Sequence, residues 1–426
     1  MQEKSLSELD EAHVWHPFTQ MQTEKNRLEI VAAKDAWLYT ADGKKYLDIN
    51  SSWWVNVHGH GNEHIGNAIS EQFLKLDHAI FAGATNPKAV ELAARVCQIL
   101  PSKFQKVFFS DNGSTAVEVA LKMAFQYFHN KSEARQRVLA LDGAYHGDTF
   151  GAMSIGQRGY FNEPFEHFFF DVDFLDFPTK TNEEQLLLKA KNLFETNEFA
   201  CLIVEPLVQG SAGMRMYSSK FLDQLTNLAQ SFDVKVIFDE IMTGWGRTGT
   251  LFALDQCEVK PDIICLSKGL TGGVLPLGLT IATNEIYNAF LSEERAKALL
   301  HGHSFTGNAL ACSAACASLD IFEEQETKDK IKRLSDWNLQ FLNELANHPK
   351  LLDVRQCGTI LAIEIEIHEK SSYFSSIRDK AYAHFVENGI LLRPCGNVLF
   401  FNPPFCLTEE EYGIAKSAVH SFLAKI

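Results

Sequence analysis

The chain has 426 residues, a formal net charge of −15 at pH 7 and an ordinary globular composition, 46% hydrophobic and 22% charged. That length holds a large core and more than one domain, while the acidic balance and the lack of any basic run argue against nucleic acid as a partner. No apolar stretch reaches the roughly 18–20 residues of a membrane span, and residues 1–18 lack the basic-then-apolar order of a secretory leader.

Residues 1–25 read as an irregular arm, and 27–50 as strands that turn at Asp42-Gly43. In Ser51-Ser52-Trp53-Trp54 two adjacent large aromatics must point in different directions. One serves the core, and the other is placed to wall an apolar substrate slot. His58, His60 and His64 resemble a metal cluster at first sight. His60 and His64 stand four apart, as in a zinc-binding helix, but glycines flank His60 and no cysteine is near, so the three read as loop histidines beside glycine.

From about 64 to 310, strand patterns at 107–110, 137–141, 200–205, 234–239 and 263–267 alternate with helix patterns at 117–128, 183–194 and 218–232. This alternation predicts an α/β fold with a mostly parallel central sheet. Beyond 311, a long helix (309–323, then 327–347) leads to strands near 352–355 and 359–367 and a last helix over 409–424. The expected organisation is an arm with strands over 1–60, a large domain over 61–310, and a smaller α+β domain over 311–426 to which the arm contributes. Nine scattered cysteines, an odd number without a CxxC pair, fit reduced thiols in the cytoplasm better than a disulfide framework. Cys312 and Cys316 share a helical face and read as core.

Two residues carry the chemistry. Lys268 follows the apolar run ending at Leu266, and Asp239 closes the apolar run 234–238. A lysine and an acid that each end a buried strand meet at one edge of a sheet. Pyridoxal phosphate needs this pair: an amine to condense with its aldehyde, and a carboxylate to keep its pyridine nitrogen protonated. Asp111-Asn112-Gly113-Ser114-Thr115 follows a strand and opens a helix. It is either a plain N-cap or a phosphate cradle of exposed backbone N–H groups. Tyr145 in Gly143-Ala-Tyr-His-Gly147 is either a packed turn residue or a ring that stacks on a planar group. His146 reads as a supporting residue rather than a catalytic base, since Lys268 is the natural proton shuttle. Gly244-Trp-Gly246-Arg-Thr-Gly249 matches GxGxxG but has no strand–helix junction, so it reads as a loop near the site with Arg247 as a ligand for an anionic group. Arg393 suits bidentate capture of a carboxylate, or is a surface arginine.

With these motifs in this order the chain resembles the fold-type I pyridoxal-phosphate enzymes, and among them the class III aminotransferases, over almost its whole length. Within the class it is similar to the diaminopelargonate synthases (adenosylmethionine–8-amino-7-oxononanoate aminotransferases) of biotin biosynthesis. The passages carrying that resemblance are Trp15-His-Pro-Phe18-Thr19, Ser51-Ser-Trp53-Trp54, SDNGSTAVEVALKMAFQY (110–127), YHGDTFGAMS (145–154), EPLVQGSAGM (205–214), DEIMTGWGRTG (239–249), SKGLTGG (267–273) and RPCGN (393–397). The resemblance implies that Lys268 and Asp239 are catalytic. It implies that Gly113, Ser114 and Tyr145 hold the cofactor, and that Phe18, Trp53, Tyr145, Gly302 and Arg393 line the substrate slot. His301-Gly302-His303-Ser304 matches a loop that reaches the cofactor phosphate from a second subunit, so a homodimer with shared sites and small-molecule substrates is expected. Phe18, His303, Ser304 and Phe400 stand where the family often has Tyr, Pro, Thr and Tyr. The two missing phenols leave the amino donor open between S-adenosylmethionine and lysine, or another ω-amino acid or diamine. Glu205 is expected to neutralise a nearby arginine when no carboxylate is bound.

Overall fold

The computed structural model describes residues 5–25, 27–367 and 375–426. Its centre is a seven-stranded sheet in the order Phe104–Ser110, Gly278–Thr283, Ile263–Leu266, Lys235–Asp239, Phe199–Val204, Arg137–Leu141, Val172–Leu175. Only Gly278–Thr283 runs against its neighbours, and the remaining pairs are parallel. Parallel strands buried on both faces read as continuous apolar runs, as FACLIV (199–204) and IICL (263–266) do.

The period of two still sorts their side chains. Ile237, Ile263 and Cys265 pack under the helix Gly113–Asn130, while Val236, Phe238, Ile264 and Leu266 join the larger core on the other face. That second face is covered by Glu183–Phe194 and Ser219–Ser231, the latter started by the Ser218 side chain accepting from Phe221 N–H.

The expected elements appear with small shifts. The strand at 263–267 stops at Leu266, because Ser267 turns its hydroxyl to Leu277 O at 2.6 Å and Lys268 adopts φ 49°. The helix expected over 327–347 spans Gln325–Leu345, with extended Glu324 before it. The antiparallel strand Gly278–Thr283 was not read from the sequence. Its first residue pairs with Ser110, where a Cβ on Gly278 would strike the Asn112 main chain.

A four-stranded sheet joins Ile30–Lys34, Trp37–Thr40 and Lys45–Asp48 to the distant Ile390–Leu391. A three-stranded sheet holds Leu351–Cys357, Ile360–Ile365 and Val398–Phe401. The N-terminal strands thus pair with the C-terminal part of the chain. Among the described residues no helix is long and apolar enough to cross a membrane, and no His/Cys/Asp/Glu group could hold a metal ion. The three histidines have separate partners: His58 meets Ser318, His60 meets Asp48 and His64 meets Asp320. His64 lies in the helix Glu63–Phe73 rather than in a loop. All nine cysteines are free, and Cys312 and Cys316 are buried in the helix Ala309–Glu323.

Asn50 fastens the two ends of the chain. Its side chain donates to Phe400 O at 2.9 Å and accepts from Arg393 N–H at 2.6 Å, and it is buried. Asn50→Ala takes a partner from a buried carbonyl and from a partly buried N–H. It should destabilise the fold by about 1–3 kcal/mol, read as a lower denaturation midpoint with an unchanged denaturant slope.

Candidate active site

Parallel strands deliver their C-terminal ends to one edge of the sheet, where ligands of open α/β folds bind. Asp239 pairs in register with Cys265, and Lys268 follows three residues later. Between them opens a cavity of about 390 Å³, within the span of small-molecule sites, about 300–1,000 Å³. Gly113, Ser114, Tyr145, His146, Glu205, Asp239 and Lys268 all line it.

Lys268 enters the cavity from a left-handed backbone conformation, strain that persists only where the surroundings over-determine it. Its Nζ lies 4.9 Å from the centroid of the Trp54 ring. Burial pushes its ammonium down to about 8, against the opposing pull of Asp239 and then Glu205.

Asp239 is held from two sides. Oδ1 accepts from Ile241 N–H at 3.1 Å, and Oδ2 lies 2.7 Å from His146 Nδ1, both side chains being buried. His146 therefore supports the acid, as its sequence position implied, and its Nε2 is buried without a partner. The neighbouring Glu240 points away. It accepts from Thr243 Oγ1 and from the N–H groups of Ala253 and Leu254, so it organises the next turn instead of the cavity.

The wall opposite is a helix start. Asn112 caps Gly113–Asn130 and takes Thr115 N–H. Gly113 and Ser114 lie in the first turn, whose N–H groups have no intrahelical acceptor and favour an anion. Asp148 N–H donates to Ser114 Oγ at 3.3 Å, and a Cβ on Gly147 (φ 124°) would collide with Ser114. Glu118, further along the helix, accepts from Thr149 Oγ1, Gly151 N–H and Ala152 N–H, which clamps the Tyr145–Thr149 loop to it. Tyr145 donates from its hydroxyl to Asp148. A buried amine, a supported carboxylate, an anion-seeking helix end and a phenol ring around one cavity are the parts pyridoxal phosphate requires, so these residues fit that cofactor.

The other expected residues are placed as follows. Trp54 (8% exposed) is the core member of its pair and lines the cavity; Trp53 (46%) faces out. Phe18 packs edge-on to Trp53 with centroids 5.5 Å apart, and the Arg393 guanidinium lies 5.6 Å from the Trp53 ring centroid. Gly302, His303 and Ser304 are not in the cavity lining of their own chain, and the Ser304 carbonyl meets His78 Nε2 at 2.6 Å.

Three expectations need correction. Arg247 is not an anion ligand: it is buried, and donates to the carbonyls of Asn402, Pro403 and Asn56. Phe400 lies in the core behind Trp54, centroids 5.8 Å apart, rather than in the substrate channel. Glu205 accepts from Tyr145 N–H and Gly210 N–H, each at 3.0 Å, rather than from a guanidinium, and burial raises its carboxyl to about 7. The sequence reading missed Trp54, Met242 and the stretch 273–277 as lining residues. Trp54 was visible as half of a pair, but nothing in Gly273-Val-Leu-Pro-Leu277 marks a site.

A lysine and a supported acid at the strand ends of this sheet define a pyridoxal-phosphate enzyme of fold type I. The aminotransferase class-III family model matches residues 19–423, and the chain belongs to that family. It is 45% identical over 422 residues to the adenosylmethionine-8-amino-7-oxononanoate aminotransferase of Synechococcus elongatus, covering 97% of this chain and 99% of that one. Identity to the Helicobacter pylori protein of the same name is 38% over 424 residues, 96% and 95% of the two chains. Among solved structures, adenosylmethionine-8-amino-7-oxononanoate aminotransferase from Methanocaldococcus jannaschii superimposes with a TM-score of 0.94 at 36% identity, covering 99% and 98%. An amine transaminase from an uncultivated Pseudomonas species, in its pyridoxal-phosphate-bound form, gives 0.89 at 28% identity, covering 97% and 98%.

The Lys268 amine is free base above about 8 and ammonium below it. Capture of an aldehyde by the cofactor-free protein should therefore speed up as pH rises through about 8 and level off above. Asp239→Asn removes a charge that favours the ammonium and should move that midpoint lower. Absorbance-monitored rates between pH 6 and 10 check both.

Proposed function

We propose that this chain is the pyridoxal-phosphate-dependent aminotransferase that converts 8-amino-7-oxononanoate to 7,8-diaminopelargonate in biotin biosynthesis, with S-adenosylmethionine as amino donor. The observation that carries the reading is the buried Lys268–Asp239 site, with half-buried Arg393 over Trp53, the chain neighbour of the cavity-lining Trp54. Chemistry happens at one end of such a site, and a carboxylate is recognised at the other. The near full-length likeness to relatives bearing that enzyme name supports it. The reading includes a homodimer in the cytoplasm, with Gly302, His303 and Ser304 completing the neighbouring subunit's phosphate site. It keeps the division of the chain at residues 60 and 310.

Pyridoxal phosphate, when bound, supplies the electrophilic aldehyde and a ring that takes up the electron pair released at the substrate carbon. Lys268, whose ammonium burial brings down to about 8, takes the proton from that carbon in its neutral form and returns one in the second half-reaction. Asp239, fixed by Ile241 N–H and His146, presents a negative charge to the ring nitrogen. Gly113 and Ser114 would hold the phosphate at the helix start. Trp54 shields the amine from water on one side. Arg393 holds the long keto acid by its carboxylate, so that the carbonyl carbon stops beside Lys268.

Lysine as donor is the second reading. It is favoured by Phe18, which brings a phenyl edge and no hydroxyl to the mouth. Loaded protein is mixed with either donor alone, and the change in cofactor absorbance is followed. Conversion by S-adenosylmethionine and not by lysine is expected; the reverse moves the donor assignment, and conversion only by simple diamines or ω-amino acids rejects the biotin-pathway role. With both substrates present, Lys268→Ala should lower kcat by about 10³-fold, within the usual range of a lost acid–base group. Arg393→Met should raise KM for the keto acid.

A further inference from the structure

Three large aromatics stand exposed together outside the cavity. Trp53 is 46% exposed, Phe18 41% and Phe161 49%. They form a chain of edge contacts. Phe18 and Trp53 have ring centroids 5.5 Å apart at 62°, and Phe18 and Phe161 are 5.8 Å apart at 85°. Tyr160 packs against Phe161 at 4.3 Å. One end of this chain meets the site, since Trp53 precedes the cavity-lining Trp54 and lies under the Arg393 guanidinium. None of the motifs read from the sequence includes Phe161; its edge contact with the arm residue Phe18 joins it to Trp53.

Phe18 holds its place by an uncommon backbone. Its φ is +51°, in the left-handed region that side chains larger than Asn rarely adopt. The arm that carries it is folded: Asp10 Oδ1 meets His16 Nε2 at 2.8 Å, and Asp10 Oδ2 accepts from Arg27 at 3.2 Å. A strained residue on a braced arm, inserted between two other rings, is a built arrangement. Its apolar ring edges stand beside a guanidinium, which suits a ligand that is a hydrocarbon chain with a carboxylate at one end.

We propose that Phe161 is a specificity-determining residue, which with Phe18 and Trp53 forms an aromatic clamp for the methylene chain of a medium-length carboxylic acid whose carboxylate lies at Arg393. The inference rests on the reading of a long keto acid as substrate. It adds that chain length is sensed by burial of methylenes against Phe161, whereas Arg393 senses only the acid group. A short acid pairs with Arg393 without reaching Phe161; a longer one covers all three rings. Removing one ring therefore costs the long acid and spares the short one.

The test uses unreactive straight-chain acids and the cofactor-loaded protein, so that no turnover is needed. Pentanoate and nonanoate are titrated by calorimetry into the wild type, Phe161→Ala, Phe161→Tyr and Arg393→Met. The wild type should bind nonanoate more tightly than pentanoate. Phe161→Ala should weaken nonanoate about fivefold, or about 1 kcal/mol, and leave pentanoate within twofold. Phe161→Tyr should retain the preference, and Arg393→Met should weaken both acids together. The clamp is refuted if the wild type shows no preference for the longer acid, or if Phe161→Ala binds nonanoate as the wild type does. It is equally refuted if that variant loses both acids equally while its melting temperature is unchanged. Absence of turnover with 8-amino-7-oxononanoate would reject the functional reading and leave these binding results standing, so the two failures are told apart.

Discussion

A lysine amine that is to attack must be neutral, yet it must sit beside the acids that favour its charged form. At Lys268 these demands oppose each other directly. Burial disfavours the ammonium, and Asp239 and Glu205 favour it, leaving the amine at about 8. Had burial acted alone the group would sit lower, and without burial it would sit higher. The rest of the site serves this balance. His146 and Ile241 N–H fix the carboxylate, Trp54 covers the amine, and the parallel register sets Asp239 within three residues of it along the neighbouring strand.

The same economy appears in how the walls are tied. Glu118 and Ser114, both on the helix that begins at Gly113, hold the loop that carries Tyr145 and His146. The ring-facing residues and the anion-facing residues are thereby one rigid piece. The mouth is assembled differently, from residues remote in sequence. Trp53 follows an N-terminal strand, Arg393 follows a C-terminal one, and Asn50 joins the two backbones. The placement of Trp53 and Arg393 thus depends on a junction between chain ends, while that of Asp239 and Lys268 depends on the sheet.

The sheet and the core of the site were legible because parallel strands repeat a strong signal, a short apolar run closed by a polar residue. Asp239, Lys268, Gly113 and Ser114 all lie where such runs end. Gly278–Thr283 escaped because an antiparallel strand that follows a glycine- and proline-rich loop and leads only into the five-residue helix Asn284–Asn288 lacks the long helix that completes the alternation. Arg247 misled because an arginine beside glycines looks like an anion ligand. Its five donors also suit a cluster of main-chain carbonyls, and a cluster built from Asn56, Asn402 and Pro403 cannot be seen in one stretch of sequence. Phe400 was legible as a position but not as a depth: strand membership gives two faces, and only the packed partner, Trp54, tells which one it occupies.

The pairing of Lys45–Asp48 with Ile390–Leu391 carries a consequence for biosynthesis. Asn50 and Arg393 are separated by 343 residues. At ~5–20 residues per second on the ribosome, the first strands wait between roughly 17 and 70 s before their partner exists. Throughout that interval the sheet edge formed by Lys45–Asp48 stands unpaired, the condition under which nascent chains associate wrongly. Vectorial synthesis therefore completes the strands that carry Asp239 and Lys268 first and the junction that places Arg393 last, and a chain truncated before residue 390 would retain Lys268 while lacking that junction.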